Sequence, residues 1–122
     1  MINCLARTKR VINLIKQFFA VVTSGPLKGR KFIVEADSKV LIGRGKESDI
    51  RIDSDNFCSR KHALLYWVEN KCFLEDLKST NGTFLNRKKL VGKKEVKNHD
   101  VIGLGHTEII IGIKSVSKFE SN

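Results

Sequence analysis

Short apolar segments rich in β-branched and aromatic residues recur along most of this chain, and turn-forming residues separate them at intervals of roughly eight to twelve residues. No helical pattern of apolar residues is evident after residue 20. The segments expected to be strands comprise residues 18–23, 31–35, 39–42, 50–52, 62–68, 71–76, 83–85, 90–91, 101–104 and 107–113. This spacing predicts an all-β fold, an antiparallel β-sandwich of two twisted sheets.

The length of 122 residues favours a single domain. We expect the sandwich to occupy residues 17–114 and a C-terminal tail to occupy residues 115–122. Residues 1–16 are basic and contain no acidic residue. Apolar residues in and just after this segment could form one face of a helix. We therefore expect a basic N-terminal arm at 1–16, either a short helix or disordered.

The net charge of +10 is distributed unevenly. Residues 1–34 carry seven Lys and Arg with no acid, and residues 86–99 carry six with a single acid, Glu95. The region between them, residues 35–85, is nearly balanced, with eight basic and nine acidic residues. The basic tracts could follow a nucleic-acid backbone. An aromatic content of 7%, however, is low for a surface on which bases stack.

Cysteine usage and hydropathy indicate the environment of the protein. The three cysteines are odd in number and far apart in sequence, which argues against a disulfide framework. We expect an intracellular, reducing compartment, either cytoplasmic or nuclear. The longest apolar runs, at 18–22 and 109–113, are far shorter than the ~20 residues that span a bilayer. No membrane association is expected.

Three short polar clusters lie at strand ends or in loops of the predicted sandwich. They are Gly-Arg-Gly at 43–45, Ser-Arg-Lys-His at 59–62 and Ser-Thr-Asn-Gly-Thr at 79–83. An arginine presents a planar fork of donors that suits a phosphate, and a carboxamide can bond a peptide backbone. Taken singly, each cluster is a weak signal, and an ordinary turn or a solvated loop is its more common explanation. Loops carried on a rigid sheet are nevertheless where binding residues usually lie.

Catalytic chemistry is not indicated by these clusters. The glycines at 43–45 lack the spacing of a nucleotide-binding loop and are not followed by a helix. Ser59 and His62 are three residues apart, so on a strand they would point to opposite faces. The cysteines and histidines have no zinc-ligand spacing. We predict no catalytic residue, no metal site and no cofactor.

The order Gly-Arg, then Ser-x-x-His, then Asn-Gly, carried on many short strands, strongly resembles the forkhead-associated (FHA) domain. The resemblance extends from about residue 18 to residue 113, and residues 25–30 resemble the opening turn of that family. FHA domains are readers of phosphorylated motifs. The resemblance therefore implies a binding module rather than an enzyme, with a usual preference for phosphothreonine over phosphoserine.

The resemblance also implies a role for each polar residue. Arg44 would hold the phosphopeptide from the loop after the third strand. The phosphate would be contacted by Ser59 and Arg60, with Thr80 completing its cradle. Asn81 would bond the peptide main chain beside the phosphoresidue. Three further residues would support the site structurally: Gly43, His62 and Gly82.

We therefore expect a phosphopeptide-binding module that recognises phosphothreonine in a partner protein and mediates phosphorylation-dependent protein–protein interaction in signalling. The expected partner is a phosphothreonine-containing protein or peptide, and the chain is expected to be a monomer. Two alternatives stay open from the sequence. One is a basic nucleic-acid-binding domain, a secondary possibility, and the other is a phosphate-independent docking domain.

Overall fold

The structure is a computed structural model that describes residues 11–35, 39–69 and 71–119. Within those residues the chain forms eleven strands, which are divided between two sheets. None of the described segments forms an apolar helix of the length that a bilayer crossing requires.

The first sheet has six strands in the order β2-β1-β11-β10-β7-β8. Its strands are β1 (Val11–Ser24), β2 (Lys31–Glu35), β7 (Thr83–Leu85), β8 (Lys88–Lys89), β10 (Val101–Leu104) and β11 (Thr107–Phe119).

The second sheet has five strands in the order β4-β3-β5-β6-β9. Its strands are β3 (Val40–Gly43), β4 (Ile50–Arg51), β5 (Ala63–Val68), β6 (Lys71–Asp76) and β9 (Lys93–Val96). The short pairing between β3 and β4 is parallel, with Ile42 opposite Ile50. The other pairings between described strands are antiparallel. The predicted two-sheet sandwich is therefore confirmed, with one parallel pair that the sequence did not indicate.

Alternating side chains of both sheets form the core between them. On β3 and β5 the buried positions are Val40, Ile42, Ala63 and Leu65, all fully inaccessible to solvent. The first sheet contributes Phe18 from β1, whose ring meets the edge of Trp67 from β5 at 5.4 Å between centroids. The apolar residues that build this core are the physical reason why the strands of the sandwich can be recognised in the sequence.

The strand predicted at residues 90–91 is wrong. Residues 90–91 were expected to be a strand, but the chain instead forms β8 before them and β9 after them. Both are lysine-rich strands at sheet edges, where charged side chains are common and the apolar alternation that identifies a strand is weak. Leu90 is buried, whereas Val91 is 84% exposed.

The predicted boundaries at residues 17 and 114 also differ from the structure. β1 begins at Val11 and β11 continues to Phe119, because the two strands pair with each other along their whole length. Residues 11–16, assigned to the N-terminal arm, and residues 115–119, assigned to the tail, are thus strand. The rest of the predicted arm, residues 1–10, and residues 120–122 lie outside the described residues.

Strand register places three loops at one end of the sandwich. Ile42 near the end of β3 pairs with Ala63 at the start of β5, which in turn pairs with Asp76 at the end of β6. The β3–β4, β4–β5 and β6–β7 loops therefore leave the sheets at the same level. These loops contain the three polar clusters identified in the sequence.

We expect Leu65→Ala to lower the free energy of unfolding by about 2–5 kcal/mol, because it removes a buried side chain from β5 and leaves a cavity. Val68→Ala on the same strand is the matched control, since Val68 is 47% exposed. Urea unfolding of both variants checks the prediction. Equal losses of stability in the two variants would contradict the proposed core.

Candidate functional site

The centre of the site is the segment 57–60 of the β4–β5 loop, to which the other two loops are hydrogen bonded. On one side, the backbone N–H of Arg44 donates to the carbonyl of Ser59 at 2.9 Å, and the N–H of Gly45 donates to the carbonyl of Arg60 at 3.0 Å. The hydroxyl of Ser48 donates to the same Arg60 carbonyl at 3.3 Å. The β3–β4 loop is thus held directly against the segment that carries Ser59 and Arg60.

The close approach of these two loops requires glycine at position 43. A Cβ atom on Gly43 would lie 2.0 Å from the carbonyl oxygen of Arg60, a distance that no side chain could occupy. The β3–β4 loop is also closed at its far end, where the backbone N–H of Leu41 donates to the carboxylate of Asp49 at 2.8 Å. Gly43 thereby fixes where Arg44 leaves the sheet.

The Arg44 side chain is held in place by one of its nitrogens and keeps the others for a ligand. Its Nε donates to the carbonyl of Cys58 at 3.0 Å. Within the described part of the chain, no hydrogen bond or ion pair occupies its terminal nitrogens. A guanidinium oriented in this way presents its outer donors as a preorganised fork.

Arg44 and Arg60 line one open cavity of about 440 Å³. Its other lining residues are Gly45, Lys46, Glu47, Arg51 and Asp53. Four basic side chains against two acidic ones give the cavity an excess of positive charge, which suits an anion.

The β6–β7 loop contacts the centre of the site from the opposite side. The backbone N–H of Thr80 donates to the hydroxyl oxygen of Ser59 at 3.1 Å, which leaves the hydroxyl proton available to an acceptor. The amide Nδ2 of Asn81 donates to the carbonyl of Phe57 at 2.9 Å. This bond orients the carboxamide, so its oxygen and second N–H remain for a ligand.

The buried imidazole of His62 connects the two loops from below. Its Nδ1 accepts the backbone N–H of Ser59 at 3.0 Å, and its Nε2 lies 2.8 Å from the carbonyl of Gly82. Because Nδ1 accepts, the ring proton is on Nε2 and is donated to Gly82. Both nitrogens are therefore occupied in a side chain with no exposed surface.

Ser59 and His62 do not form a catalytic pair, although for a different reason from the one the sequence suggested. The two residues do not lie on a strand with their side chains on opposite faces, because β5 begins only at Ala63. The imidazole does approach Ser59, through the backbone N–H rather than the hydroxyl. A ring with both nitrogens bonded has no free lone pair with which to take a proton from that hydroxyl.

The β6–β7 loop is organised by Asp76, a residue that the sequence analysis did not single out. One carboxylate oxygen accepts the hydroxyls of Ser79 at 2.5 Å and Thr83 at 2.6 Å. The Ser79 hydroxyl oxygen in turn accepts the backbone N–H of Gly82 at 2.9 Å, where φ is +86°. Partial burial alone would raise the pKa of Asp76, but the hydrogen bonds from Ser79 and Thr83 outweigh it, and the pKa lies below its ordinary value.

Asp55 is a second carboxylate that sequence reasoning missed. It is 2% exposed, and its oxygens accept the backbone N–H of Phe57 at 3.0 Å, the backbone N–H of His106 at 2.8 Å and the hydroxyl of Thr107 at 2.6 Å. These bonds tie the loop that presents Ser59 to the turn between β10 and β11. In the sequence, Asp55 looks like any other aspartate in a loop that follows a strand. Nothing there indicated this role.

Cys58 lies at the centre of the site without being reactive. Burial, reinforced by the Asp55 carboxylate and opposed by the Arg44 guanidinium, raises the pKa of its thiol to about 12. The thiol is therefore protonated at neutral pH and is not a nucleophile.

The structure thus brings all eight predicted site residues to one end of the sandwich. Three buried residues lie beneath the loops: Gly43, His62 and Gly82. Arg60, Thr80 and Asn81 are exposed, whereas Arg44 and Ser59 are half-buried. The described residues contain no group of three or more His, Cys, Asp or Glu side chains that could hold a metal ion.

The family model of the FHA domain matches residues 40–105, which contain all three loops and the whole second sheet. The chain belongs to the FHA domain family. The resemblance drawn from the Gly-Arg, Ser-x-x-His and Asn-Gly motifs is confirmed.

Individual relatives agree with this assignment. The chain is 36% identical over 91 residues to the FHA domain-containing protein FhaB of Mycobacterium tuberculosis, a match that covers 75% of this chain and 57% of FhaB. The chain thus spans a little over half the length of that relative.

Two solved FHA structures are similar to the fold. One comes from a structural and functional analysis of phosphothreonine-dependent FHA domain interactions, with a TM-score of 0.69 and 33% identity over 79% of this chain and 95% of the other. The second is the FhaA FHA domain complexed with the intracellular domain of Rv3910, with a TM-score of 0.66 and 33% identity over 77% of this chain and 98% of the other.

We expect His62→Ala to lower the free energy of unfolding by about 2–4 kcal/mol, because it leaves a buried N–H and a buried carbonyl without partners and opens a cavity. His106→Ala is the control, since that ring is exposed and its backbone bond to Asp55 is retained. Chemical unfolding measures the difference. A His62 variant as stable as the parent would show that the imidazole does not support the loops.

We expect Asp76 to contribute to the acid sensitivity of the fold. Because its pKa is lowered in the folded domain, its contribution to stability is present above the ordinary value of 3.8 and is lost as the pH falls through the depressed value. The free energy of unfolding of the parent should therefore decline more steeply below about pH 4 than that of Asp76→Asn. Urea unfolding of both proteins across this range is the measurement, and identical slopes would contradict the assignment.

Proposed function

We propose that the domain binds a phosphothreonine-containing segment of a partner protein and links the two proteins only when that threonine is phosphorylated. The observation that supports this function best is that the loops of Arg44 and Thr80 are both hydrogen bonded to the segment that carries Ser59 and Arg60, while the terminal nitrogens of Arg44 and the Ser59 hydroxyl proton are left unoccupied. In this proposal Arg44, Ser59 and Arg60 bind the phosphate. Thr80 closes the cradle from the β6–β7 loop.

Charge and hydrogen-bond geometry favour a phosphate over a neutral ligand. A phosphate carries about −1.5 to −2 charges at neutral pH and three strong acceptor oxygens. Each charge-assisted bond from Arg44 or Arg60 contributes roughly 1.5–3 kcal/mol before the cost of ordering the peptide. An unphosphorylated threonine would leave these donors unmatched, which makes binding dependent on phosphorylation.

Asn81 supplies the second element of recognition in this proposal. Its carboxamide is oriented by the bond to Phe57, so the remaining oxygen and N–H are directed before a ligand arrives. Two such groups match the N–H and carbonyl of one extended residue in a peptide backbone. Preorientation of this kind improves affinity by reducing the ordering that binding requires.

The proposal includes no catalytic step and no cofactor. FHA domains belong to the readers of phosphorylated motifs. The imidazole nearest the serine is fully hydrogen bonded, and burial keeps the nearby thiol protonated. The odd number of cysteines supports an intracellular compartment, where partners are phosphorylated by kinases and thiols stay reduced.

We expect Arg44→Ala to reduce affinity for a phosphothreonine peptide at least tenfold, because the loss of a charge-assisted pair costs about 1.5–3 kcal/mol. Arg44→Lys should retain part of the affinity, since it keeps the charge but loses the fork and the Nε bond to Cys58. Titration calorimetry with a phosphothreonine peptide library and its unphosphorylated twin measures both effects.

Lys71→Ala is the matched control for this experiment, because Lys71 is exposed at the opposite end of β6. Circular dichroism should show the same fold for all variants. Equal binding of the phosphorylated and unphosphorylated libraries by the parent would overturn the proposed function. Unchanged affinity in Arg44→Ala would overturn only the role of Arg44.

A further inference from the structure

A group of three lysines beside the site is not used by the proposed phosphate contacts. Lys88 and Lys89 lie on β8, the edge strand of the first sheet, and Lys94 lies on β9, the edge strand of the second. We call these three residues the lysine cluster. They belong to the basic tract at 86–99, for which the sequence alone offered a nucleic-acid backbone as one possible ligand.

The lysine cluster surrounds a shallow groove between the two sheet edges. The groove has a volume of about 230 Å³ and is lined by Leu85, Asn86 and Leu90 in addition to the three lysines. No carboxylate lines it, in contrast to the main cavity with Glu47 and Asp53. Within the described part of the chain, none of the three lysines forms an ion pair. The groove therefore carries three positive charges that the fold leaves uncompensated.

One lysine of the groove, Lys89, lies against the β6–β7 loop. A Cβ atom on Gly82 would lie 3.1 Å from Cε and 3.8 Å from Nζ of Lys89, so this side chain rests against the residue next to Asn81. The backbone N–H of Leu90 donates to the carbonyl of Thr83 at 2.8 Å, which holds the chain after β8 against the same loop. A ligand whose main chain is bonded by Asn81 would thus pass close to the ammonium of Lys89.

We propose that the lysine cluster is a second anionic subsite, which binds acidic or phosphorylated residues on one side of the phosphothreonine in the same peptide. The inference rests on the proposed function, because it places the peptide at Asn81. An extended peptide advances about 3.3–3.6 Å per residue, so a carboxylate within roughly one to four residues of the phosphothreonine reaches the cluster. The domain would then select phosphothreonines in an acidic context over phosphothreonines in a neutral one.

Protection of the sheet edges is the competing explanation for these lysines. Charged side chains on edge strands commonly prevent pairing with other chains. That role predicts that neutral substitutions cause aggregation but do not change peptide selectivity. The two explanations are therefore separated by a binding measurement.

The experiment compares three phosphothreonine peptides of equal length on the parent domain. One has degenerate neutral flanks, one has three glutamates before the phosphothreonine and one has three glutamates after it. We expect one of the two acidic peptides to bind about tenfold more tightly than the neutral peptide, since each exposed ion pair contributes roughly a 1.5- to 5-fold gain. The gain should shrink as salt is raised to about 0.5 M, because exposed pairs are screened.

The test variant is Lys88→Gln/Lys89→Gln/Lys94→Gln. It should lose the preference for the acidic peptide and retain its affinity for the neutral one. The matched control carries the same change at three exposed lysines near the far end of the sandwich, Lys39→Gln/Lys71→Gln/Lys114→Gln. It alters the net charge equally and should keep the preference.

Four results would overturn the inference, and they are distinguishable. If the parent binds the neutral and the acidic phosphopeptides with equal affinity, the subsite alone is refuted. The same holds if the control variant loses the acidic preference as fully as the test variant does. Failure of the parent to bind any of the phosphopeptides refutes the proposed function together with the subsite. Tight binding of duplex DNA through the lysine cluster, without acidic-peptide preference, would make the groove a nucleic-acid surface instead.

Discussion

The buried imidazole of His62 is the contact on which the geometry of the site depends. It joins the backbone N–H of Ser59 in one loop to the carbonyl of Gly82 in another, at 3.0 and 2.8 Å. Neither of these backbone groups lies in a sheet ladder, so each needs a partner when it is covered by other loops. One side chain satisfies both, and in doing so it holds the loop of Ser59 at a fixed position relative to the loop of Asn81.

Two carboxylates extend this arrangement by organising backbone rather than by binding a ligand. Asp76 closes the β6–β7 loop through Ser79 and Thr83, and Asp55 anchors the β4–β5 loop to the β10–β11 turn. Both carboxylates accept hydrogen bonds from groups of the protein itself. At this end of the sandwich these two carboxylates are satisfied internally while donors of Arg44 remain unbonded, an arrangement that suits an anionic ligand.

Much of the fold could be predicted from the sequence because the strands next to the core are short apolar segments separated by turn residues. Ile42 and Leu65 are buried within two of these segments, at 39–42 and 62–68. The lysine-rich strands β8 and β9 could not be predicted in this way, since edge strands bury few side chains. The extension of β1 to Val11 was also missed, because it depends on pairing with residues about one hundred positions away.

The sequence by itself determined which chemical groups are present: two arginines, a serine, a threonine and an asparagine in an order that defines the family. Tertiary structure decided which of their atoms are free. It directs Nε of Arg44 to Cys58 and Nδ2 of Asn81 to Phe57, and it places Lys89 against Gly82. Each of these contacts joins residues on different loops or strands, and local patterns in a sequence carry no information about such long-range distances.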